Sequence, residues 1–247
     1  MQIRPDMLVA QIAAEAPATI KIFQRHQLEF CCGGRIPLAE ACAASGLDAE
    51  VILAELSAAL GDAPDGVDWQ QAPLSELIAH IQATYHEPLR DELPRLSAML
   101  AKVVQRHGQR LPETLLPLQA TFDSLHRELI DHMAKEDRVL FPAVAALESS
   151  ADGDWTIGGL GSLDQPIDVM EAEHEAAGEA LARMRRLTGG YAPPEDACPT
   201  FRGLYYGLAE LERDMHQHVH LENHILFPRA ARLARERSQD MHEQRAH

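Results

Sequence analysis

The chain has 247 residues, of which 46 % are hydrophobic, and a formal net charge of −16 from 22 basic and 38 acidic side chains. This hydrophobic share supports a packed core and argues against disorder, while the acidic excess argues against binding to nucleic acid or anionic membranes. No stretch approaches the roughly 20 apolar residues of a membrane-spanning helix. With four cysteines and a poor signal peptide, the sequence predicts a cytoplasmic protein with reduced thiols.

Residues 1–60 are predicted to form a small helical N-terminal domain, broken near the stretch CCGGR. A disulfide between adjacent Cys31 and Cys32 would be strained, and Gly33 and Gly34 leave the backbone free to turn. If the turn opens a helix, the helix N-terminus would favour the thiolate. The two thiols then suit iron or cluster contact and iron transfer, redox sensing or nitric oxide handling. Alternatively, they are small packing residues.

A Gly, Pro and Asp-rich linker is predicted over residues 61–73, followed by a helical domain over 74–238 and a polar tail over 239–247. The domain contains four long helical patterns separated by HGQRLP, DGDWTIGGLG and TGGYAPPED. Four such helices predict an all-α, antiparallel four-helix bundle. Pro88, Pro94 and Pro117 should kink these helices or mark short breaks.

The second and fourth helical patterns repeat each other. ELIDHMAKEDRVLFP (128–142) and DMHQHVHLENHILFP (214–228) share an acid, then His, Glu and Leu-Phe-Pro at matching positions. The first and third patterns each add one histidine, His86 and His174. The repeat therefore predicts a bundle of two similar hairpins, each supplying one His and one His-x3-Glu pair.

The repeated residues lie on the predicted core seams, which follow alternating spacings of three and four. In the second helix this seam continues beyond His132 and Glu136 to Val139. A carboxylate buried on a seam is costly without a cation, and His and Glu four residues apart share a helix face. The set suits two metal ions with bridging carboxylates, with iron favoured over manganese or zinc. Its members are His86, His132, Glu136, His174, His218 and Glu222.

With these motifs, the sequence resembles the hemerythrin-like di-iron bundles. The stretches FCCGGR, YHEPLRDELPRL and HLENHILFPRA make it similar, over nearly the whole chain, to the iron-sulfur cluster repair proteins, the RIC group also called YtfE or ScdA. The resemblance implies a non-haem di-iron centre with Glu136 and Glu222 as bridges, beside an oxo or hydroxo group. It also implies that damaged iron-sulfur proteins are the partners, and we expect a homodimer.

Three functions use this same centre. The first is repair of clusters damaged by nitrosative or oxidative stress through iron donation. The second is binding of nitric oxide or oxygen by a scavenger or sensor, and the third is an enzymatic reduction of nitric oxide. A cysteine-bearing domain favours repair, because a simple gas carrier has no evident need of it.

Two further groups of side chains surround the predicted ligands. Glu128 and Asp214 lie one turn before His132 and His218 and could orient those rings, or they are ordinary charged helix residues. The resemblance places Glu173, like Glu128, on the access route to the metals. A separate stripe on the fourth helix faces away from the seam and is expected to be solvated, although it could hold adventitious zinc or nickel. The stripe consists of His216, His220 and His224.

Overall fold

The computed structural model describes residues 2–60, 67–149 and 162–245, with side chains described up to residue 239. Within these ranges all regular structure is helical, and Leu8 and Pro37 form an isolated β-bridge. The all-α prediction is confirmed. The whole DGDWTIGGLG break (152–161) lies outside the described residues, as do residues 61–66 of the predicted linker and part of the polar tail. No described helix is long and apolar enough to cross a bilayer.

Eleven α-helices are present in the described ranges, numbered here in chain order, and a 3₁₀ turn covers Pro17–Thr19. They are α1 (Val9–Glu15), α2 (Ile20–Arg25), α3 (Leu38–Ala44), α4 (Ala49–Ala59), α5 (Leu74–Ile81), α6 (Glu87–His107), α7 (Pro112–Lys135), α8 (Phe141–Ser149), α9 (Asp164–Leu187), α10 (Pro199–Leu221) and α11 (Phe227–Arg245). The chain forms two compact units from interleaved segments. The first comprises Met1–Ile78, Val144–Asp164 and His216–His247, and the second Ala79–Ala143 and Gln165–Met215. The domain boundaries predicted from the sequence stay a prediction.

The first unit contains a small apolar core built by α1 to α4. Ile12, Phe23, Phe30 and Leu56 are among its fully buried side chains. Elsewhere in this unit, the carboxylate of Glu148 accepts hydrogen bonds from the backbone N–H groups of Leu74 (2.6 Å) and Ser75 (2.9 Å). These N–H groups have no partner within α5, because they belong to its first turn. A distant carboxylate thus caps the start of α5.

In the second unit, apolar side chains at alternating spacings of three and four are buried along α6, α7, α9 and α10. On α6 this seam consists of Leu89, Leu93, Leu96, Leu100 and Val103. The seam pattern therefore identified the buried faces of these helices. It was wrong at Val139, which is 51 % exposed, whereas the adjacent Leu140 is 2 % exposed.

The error at Val139 arises from a wide π-helical turn. Three such turns occur among the described helices, at Gln82–His86, Glu136–Leu140 and Glu222–Leu226. Each is followed two residues later by a proline: Pro88, Pro142 and Pro228. Proline has no N–H, and its ring clashes with the carbonyl four residues earlier. A π turn relieves the clash by adding a residue to the turn, which shifts the buried face by one position.

The predicted effects of proline differ between positions. Pro88 follows a π turn, so the helical path changes there without ending. The helices α6 and α7 continue through Pro94 and Pro117 respectively without a break. Each π turn begins or ends at a predicted metal ligand, namely His86, Glu136 or Glu222. The proline motifs therefore set the helical register at the candidate site.

Candidate metal centre

Three imidazoles of the second unit converge on one buried carboxylate. The Nε2 atoms of His86 and His132 lie 3.4 and 3.2 Å from Oε2 of Glu136. Nε2 of His174 lies 2.9 Å from Nε2 of His132. None of the four residues is more than 3 % exposed. The structure thus brings together four residues that the seam pattern had selected from three different helical segments.

A second carboxylate orients each of two rings. Oδ1 of Asp137 lies 3.0 Å from Nδ1 of His86, and Oε2 of Glu173 lies 2.9 Å from Nδ1 of His132. A carboxylate accepts hydrogen bonds, so in the neutral rings Nδ1 carries the proton and donates it. The lone pairs of both Nε2 atoms then point toward Glu136.

This donor set fits a metal cation. Without a cation, the lone pairs of the neutral imidazoles would face a carboxylate oxygen in a region with almost no exposure to water, where polar groups are costly to bury uncompensated. His132, Glu136 and His174 each offer a ligand atom within 4.8 Å of the others. Imidazole and carboxylate donors suit iron, manganese or zinc. These residues therefore have the chemistry of a non-haem metal site.

The first unit holds a second pair of the same kind. Nε2 of His218 lies 2.9 Å from Oε1 of Glu222, and the two residues are 1 % and 0 % exposed. As at His132 and Glu136, the ring and the carboxylate are four residues apart and share a helix face. The pair repeats the His-x3-Glu pattern, its carboxylate again at the first residue of a π turn.

The orienting carboxylates Asp137 and Glu173 each contact a cationic side chain. Asp137 accepts a hydrogen bond from Gln82 at 2.8 Å and forms an ion pair with Arg90, and Glu173 forms an ion pair with Lys135. Burial alone would raise the pKa of both carboxyls, but these hydrogen bonds and the facing imidazoles hold each pKa below its ordinary value. Both groups therefore stay ionised as acceptors for the ring N–H groups.

Two other acids predicted to lie near the ligands have different described partners. Glu128 is exposed and accepts a hydrogen bond from Ser124 at 2.7 Å. Asp214 pairs with Arg213 at 3.1 Å. Their roles beside a metal stay a prediction.

Asp137 was missed by the sequence analysis. The residues around it indicate its role: Asp137 directly follows Glu136 and lies at the start of a π turn, which changes the direction of the side chains after it. A helix with a regular register would not place Asp137 and Glu136 on one side. Asp137 could have been found only by recognising the π turn from Pro142.

The expectation that the histidine stripe is solvated was wrong. His220 is 1 % exposed, and its Nδ1 lies 3.2 Å from the carbonyl oxygen of Phe30. Nε2 of His224 contacts the carbonyl oxygen of Cys31. The ring of His216 packs edge-on against Phe30, with centroids 6.1 Å apart. The stripe therefore holds the backbone of the Cys-Cys-Gly-Gly turn.

The thiols in this turn also differ from the expectation. The next helix, α3, begins only at Leu38, so no helix N-terminus lies at Cys31 or Cys32. A hydrogen bond to Cys32, burial and the negative charge of Glu29 together raise the pKa of the Cys31 thiol. Sγ of Cys31 instead lies 2.7 Å from Oε1 of Glu29 and donates its proton there.

Comparisons with known proteins decide the family. Residues 77–230 match the Hemerythrin HHE cation binding domain, and residues 5–60 match a domain of unknown function, DUF542. The chain belongs to the hemerythrin HHE family. It is also 41 % identical over 222 residues to the iron-sulfur cluster repair proteins YtfE of Yersinia pseudotuberculosis serotype IB (strain PB1/+) and Yersinia pestis (strain Pestoides F), covering 90 % of this chain and 95 % of each relative. The hemerythrin-like prediction is thereby confirmed.

The family match and the site chemistry agree. The matched range includes all six predicted ligands, and its description is that of a cation-binding domain. The buried His and Glu groups supply imidazole and carboxylate donors without a thiolate. Together, these findings indicate that the chain binds non-haem iron.

Replacing Asp137 with asparagine is expected to weaken iron binding by about 10- to 100-fold. The neutral amide removes the negative charge that faces Nδ1 of His86, and the ion pair with Arg90 is lost. Iron affinity can be measured by competition with a coloured chelator. Asp196→Asn is the matched control, because it removes an exposed ion pair with Arg110, and neither residue is a predicted ligand or an acid beside one. Equal affinities in the two variants would show that Asp137 does not orient the ring.

The stability of the metal-free protein is expected to depend on pH through His220. Burial and then the charge of His224 lower the pKa of His220 to about 4, from about 6.5 in an unfolded chain. Between these values only the unfolded chain binds the proton, so this stabilisation is complete above pH 6.5 and is lost as the pH falls toward 4. At pH 5 the loss amounts to about 2 kcal/mol.

His220→Asn tests this dependence, since its amide can still donate to Phe30 but does not titrate. Urea denaturation at pH 7 and pH 5 measures the free energy of unfolding of both proteins. The wild type should lose about 2 kcal/mol more than the variant between the two pH values. Parallel losses in the two proteins would assign the pH dependence to other groups.

Proposed function

We propose that this chain is a di-iron protein that repairs iron-sulfur clusters damaged by nitrosative or oxidative stress, by donating iron to them. The observation that carries the proposal is the buried cluster of three imidazoles around Glu136, in which the Nε2 atoms of His86 and His132 lie within 3.4 Å of the carboxylate, in a family described as cation-binding. The relatives' printed name, iron-sulfur cluster repair protein, supplies the class of client.

The proposed centre has six ligands and two iron ions. Each hairpin supplies two imidazoles and one carboxylate, and the repeat in the sequence supports treating the two sets as equivalent. The two carboxylates would bridge the ions beside an oxo or hydroxo group. The ligands are His86, His132, His174 and His218, with Glu136 and Glu222 as the bridges.

The donor set also bears on iron release. Ferrous iron is among the more weakly bound divalent metals at sites with imidazole and carboxylate donors. Weak binding suits a centre that must give up its metal. In the ferrous state with a hydroxo group, the hydroxide and the two carboxylates would offset only three of the four positive charges of the two ions, because the imidazoles are neutral. The remaining positive charge disfavours retention of both ions in a buried site. Cys31 and Cys32, in the turn held by the histidine stripe, are proposed to assist the transfer.

Recovery of a client enzyme tests the proposal. The reduced, iron-loaded chain is mixed under anaerobic conditions with an iron-sulfur enzyme whose cluster has been damaged by nitric oxide, together with sulfide and reductant. Enzyme activity should return faster than with the same amount of free ferrous iron. The Glu222→Leu variant, carried through the same iron loading, should give no recovery.

The same experiment separates repair from the gas-binding alternatives. Dissolved nitric oxide is followed with an electrode during the reaction. Rapid loss of nitric oxide without any return of client activity would overturn repair in favour of a nitric oxide scavenger or reductase.

Size-exclusion chromatography of the iron-loaded chain by itself tests the expected homodimer.

A further inference from the structure

Apart from the proposed di-iron ligands, a second group of side chains that carry metal-ligand atoms meets at the Cys-Cys-Gly-Gly turn. Glu29, Cys31 and His216 each offer a ligand atom, and these atoms all lie within 4.8 Å of one another. Within the group, Sγ of Cys31 lies 2.7 Å from Oε1 of Glu29. The sulfur of Cys32 lies 3.9 Å from that of Cys31. One carboxylate, one imidazole and one sulfur therefore occupy a single small volume, with a second sulfur beside the first.

We propose that Glu29, Cys31 and His216 form a mononuclear site for a thiophilic divalent cation of the zinc, cobalt or ferrous iron class. The three donors come from the turn and from α10, and all lie within the first unit. Mixed sulfur, nitrogen and oxygen donors are typical of such ions and unsuited to magnesium or calcium. The proposal holds whether or not the chain repairs clusters.

The distances support this assignment. Ligand atoms on a tetrahedral ion with bonds of about 2.0–2.3 Å lie about 3.3–3.8 Å apart. At 2.7 Å the Cys31–Glu29 pair would have to open by about one ångström, and the longer distances, at most 4.8 Å, would have to close by about the same amount. Glu29 and His216 can make these movements because neither is buried. The sulfur of Cys32 lies near this spacing from the sulfur of Cys31 only, at 3.9 Å, so it is not included among the proposed ligands.

The charges support it as well. The thiol proton of Cys31 now separates its sulfur from the carboxylate of Glu29. A divalent cation would replace that proton, which leaves with the solvent, and would be neutralised by one thiolate and one carboxylate. The backbone N–H of Cys31 donates to the same carboxylate oxygen at 3.0 Å and holds it beside the sulfur.

The backbone is already arranged for the site. His220 and His224 bind the carbonyl oxygens of Phe30 and Cys31, so the turn carrying the thiols is held against the helical segment that carries His216. Gly33 leaves room for Glu29, because a Cβ at Gly33 would lie 2.7 Å from Cγ of Glu29. The ligands are thus held by contacts that do not themselves involve a metal.

Cobalt(II) alone serves as the probe, because only thiolate ligands give a strong sulfur-to-cobalt charge-transfer absorption in the near ultraviolet. The reduced full-length chain, loaded with only two equivalents of ferrous iron so that the further site is left for the probe, is titrated with cobalt(II) under anaerobic conditions and followed by difference absorption. The six proposed di-iron ligands include no thiolate, so cobalt bound there gives no such band. We expect one equivalent of cobalt to produce the band in the wild type.

Ligand variants define the site. Cys31→Ser should abolish the band, and Glu29→Gln and His216→Ala should each weaken binding by at least about tenfold. Cys198→Ser, at a partly buried cysteine in the second unit, is the matched control and should bind as the wild type does. His216→Cys offers a replacement donor, so it should retain binding and strengthen the band.

Three outcomes would overturn the proposal. They are a wild type without the band, a band that persists in Cys31→Ser, and unchanged affinity in both Glu29→Gln and His216→Ala. The last would mean that the cysteine binds cobalt alone. If Cys31→Ser fails to fold, as judged by circular dichroism, the affinities of Glu29→Gln, His216→Ala and His216→Cys decide the question. A failure of client repair would leave these results unaffected.

Discussion

Replacing Glu222 with leucine is expected to abolish iron binding, while replacing His220 with asparagine leaves the iron content unchanged. Glu222 is fully buried and lies 2.9 Å from His218, and it is one of two proposed bridges, so its loss removes a ligand from both ions. His220 lies only two residues away, but its described partner is the carbonyl of Phe30. Iron per chain after anaerobic loading and gel filtration is the measurement.

The stability of the metal-free Glu222→Leu variant sharpens this test. Two effects oppose each other in this variant: leucine removes a costly buried carboxylate, but it also removes the oxygen that lies 2.9 Å from Nε2 of His218, a loss of about 1–3 kcal/mol. We therefore expect the metal-free variant to lose no more than about 3 kcal/mol relative to the metal-free wild type in urea denaturation and to remain folded. A variant that loses stability but keeps its iron would show that Glu222 has a structural role instead.

The burial of the His and Glu side chains in the second unit could be predicted because their pattern needs no tertiary information. A spacing of four places His132 and Glu136 on one helix face, and the apolar residues around them show that this face is buried. A carboxylate on a buried face calls for a cation. The repeat then supports the same interpretation for His218 and Glu222.

Features that depend on irregular helix geometry could not be predicted in this way. The spacing rule failed at Val139 because the π turn adds a residue after Glu136, and the same turn carries Asp137 toward His86. A regular helical period contains no such step. The Leu-Phe-Pro ending holds the information, but only once the clash of proline with the preceding turn is considered.

The prediction that the histidine stripe is solvated failed for a different reason. Its burial depends on contacts with the Cys-Cys-Gly-Gly turn, and His220 and Phe30 are 190 residues apart in the chain. Polar residues on the outer face of a predicted helix are expected to be solvated unless another segment covers them. Nothing local to the fourth helix indicates that such a segment exists. The Glu29, Cys31 and His216 group could not be predicted for the same reason.

Gly34→Ala is expected to destabilise the protein by about 1–3 kcal/mol. A Cβ at Gly34 would lie 2.7 Å from the carbonyl oxygen of Phe30 and 2.9 Å from Cβ of Ala10. Both neighbours are held in place, since the Phe30 carbonyl binds His220 and the N–H of Ala10 donates to the Gly34 carbonyl at 2.9 Å. The turn must therefore shift to admit a methyl group, and the contacts of the histidine stripe weaken with it.

The same substitution in α10 provides a contrast of the opposite sign. Gly203 lies inside a helix, and a Cβ there meets only the terminal methyl of Met99, at 3.2 Å. Since alanine stabilises a helix interior by up to about 1 kcal/mol relative to glycine, Gly203→Ala should be neutral or stabilising. Urea denaturation of the metal-free proteins measures both changes. A Gly34→Ala variant as stable as Gly203→Ala would mean that the close packing of the turn contributes nothing to folding, because a packed turn cannot accept the methyl group without a loss of contacts.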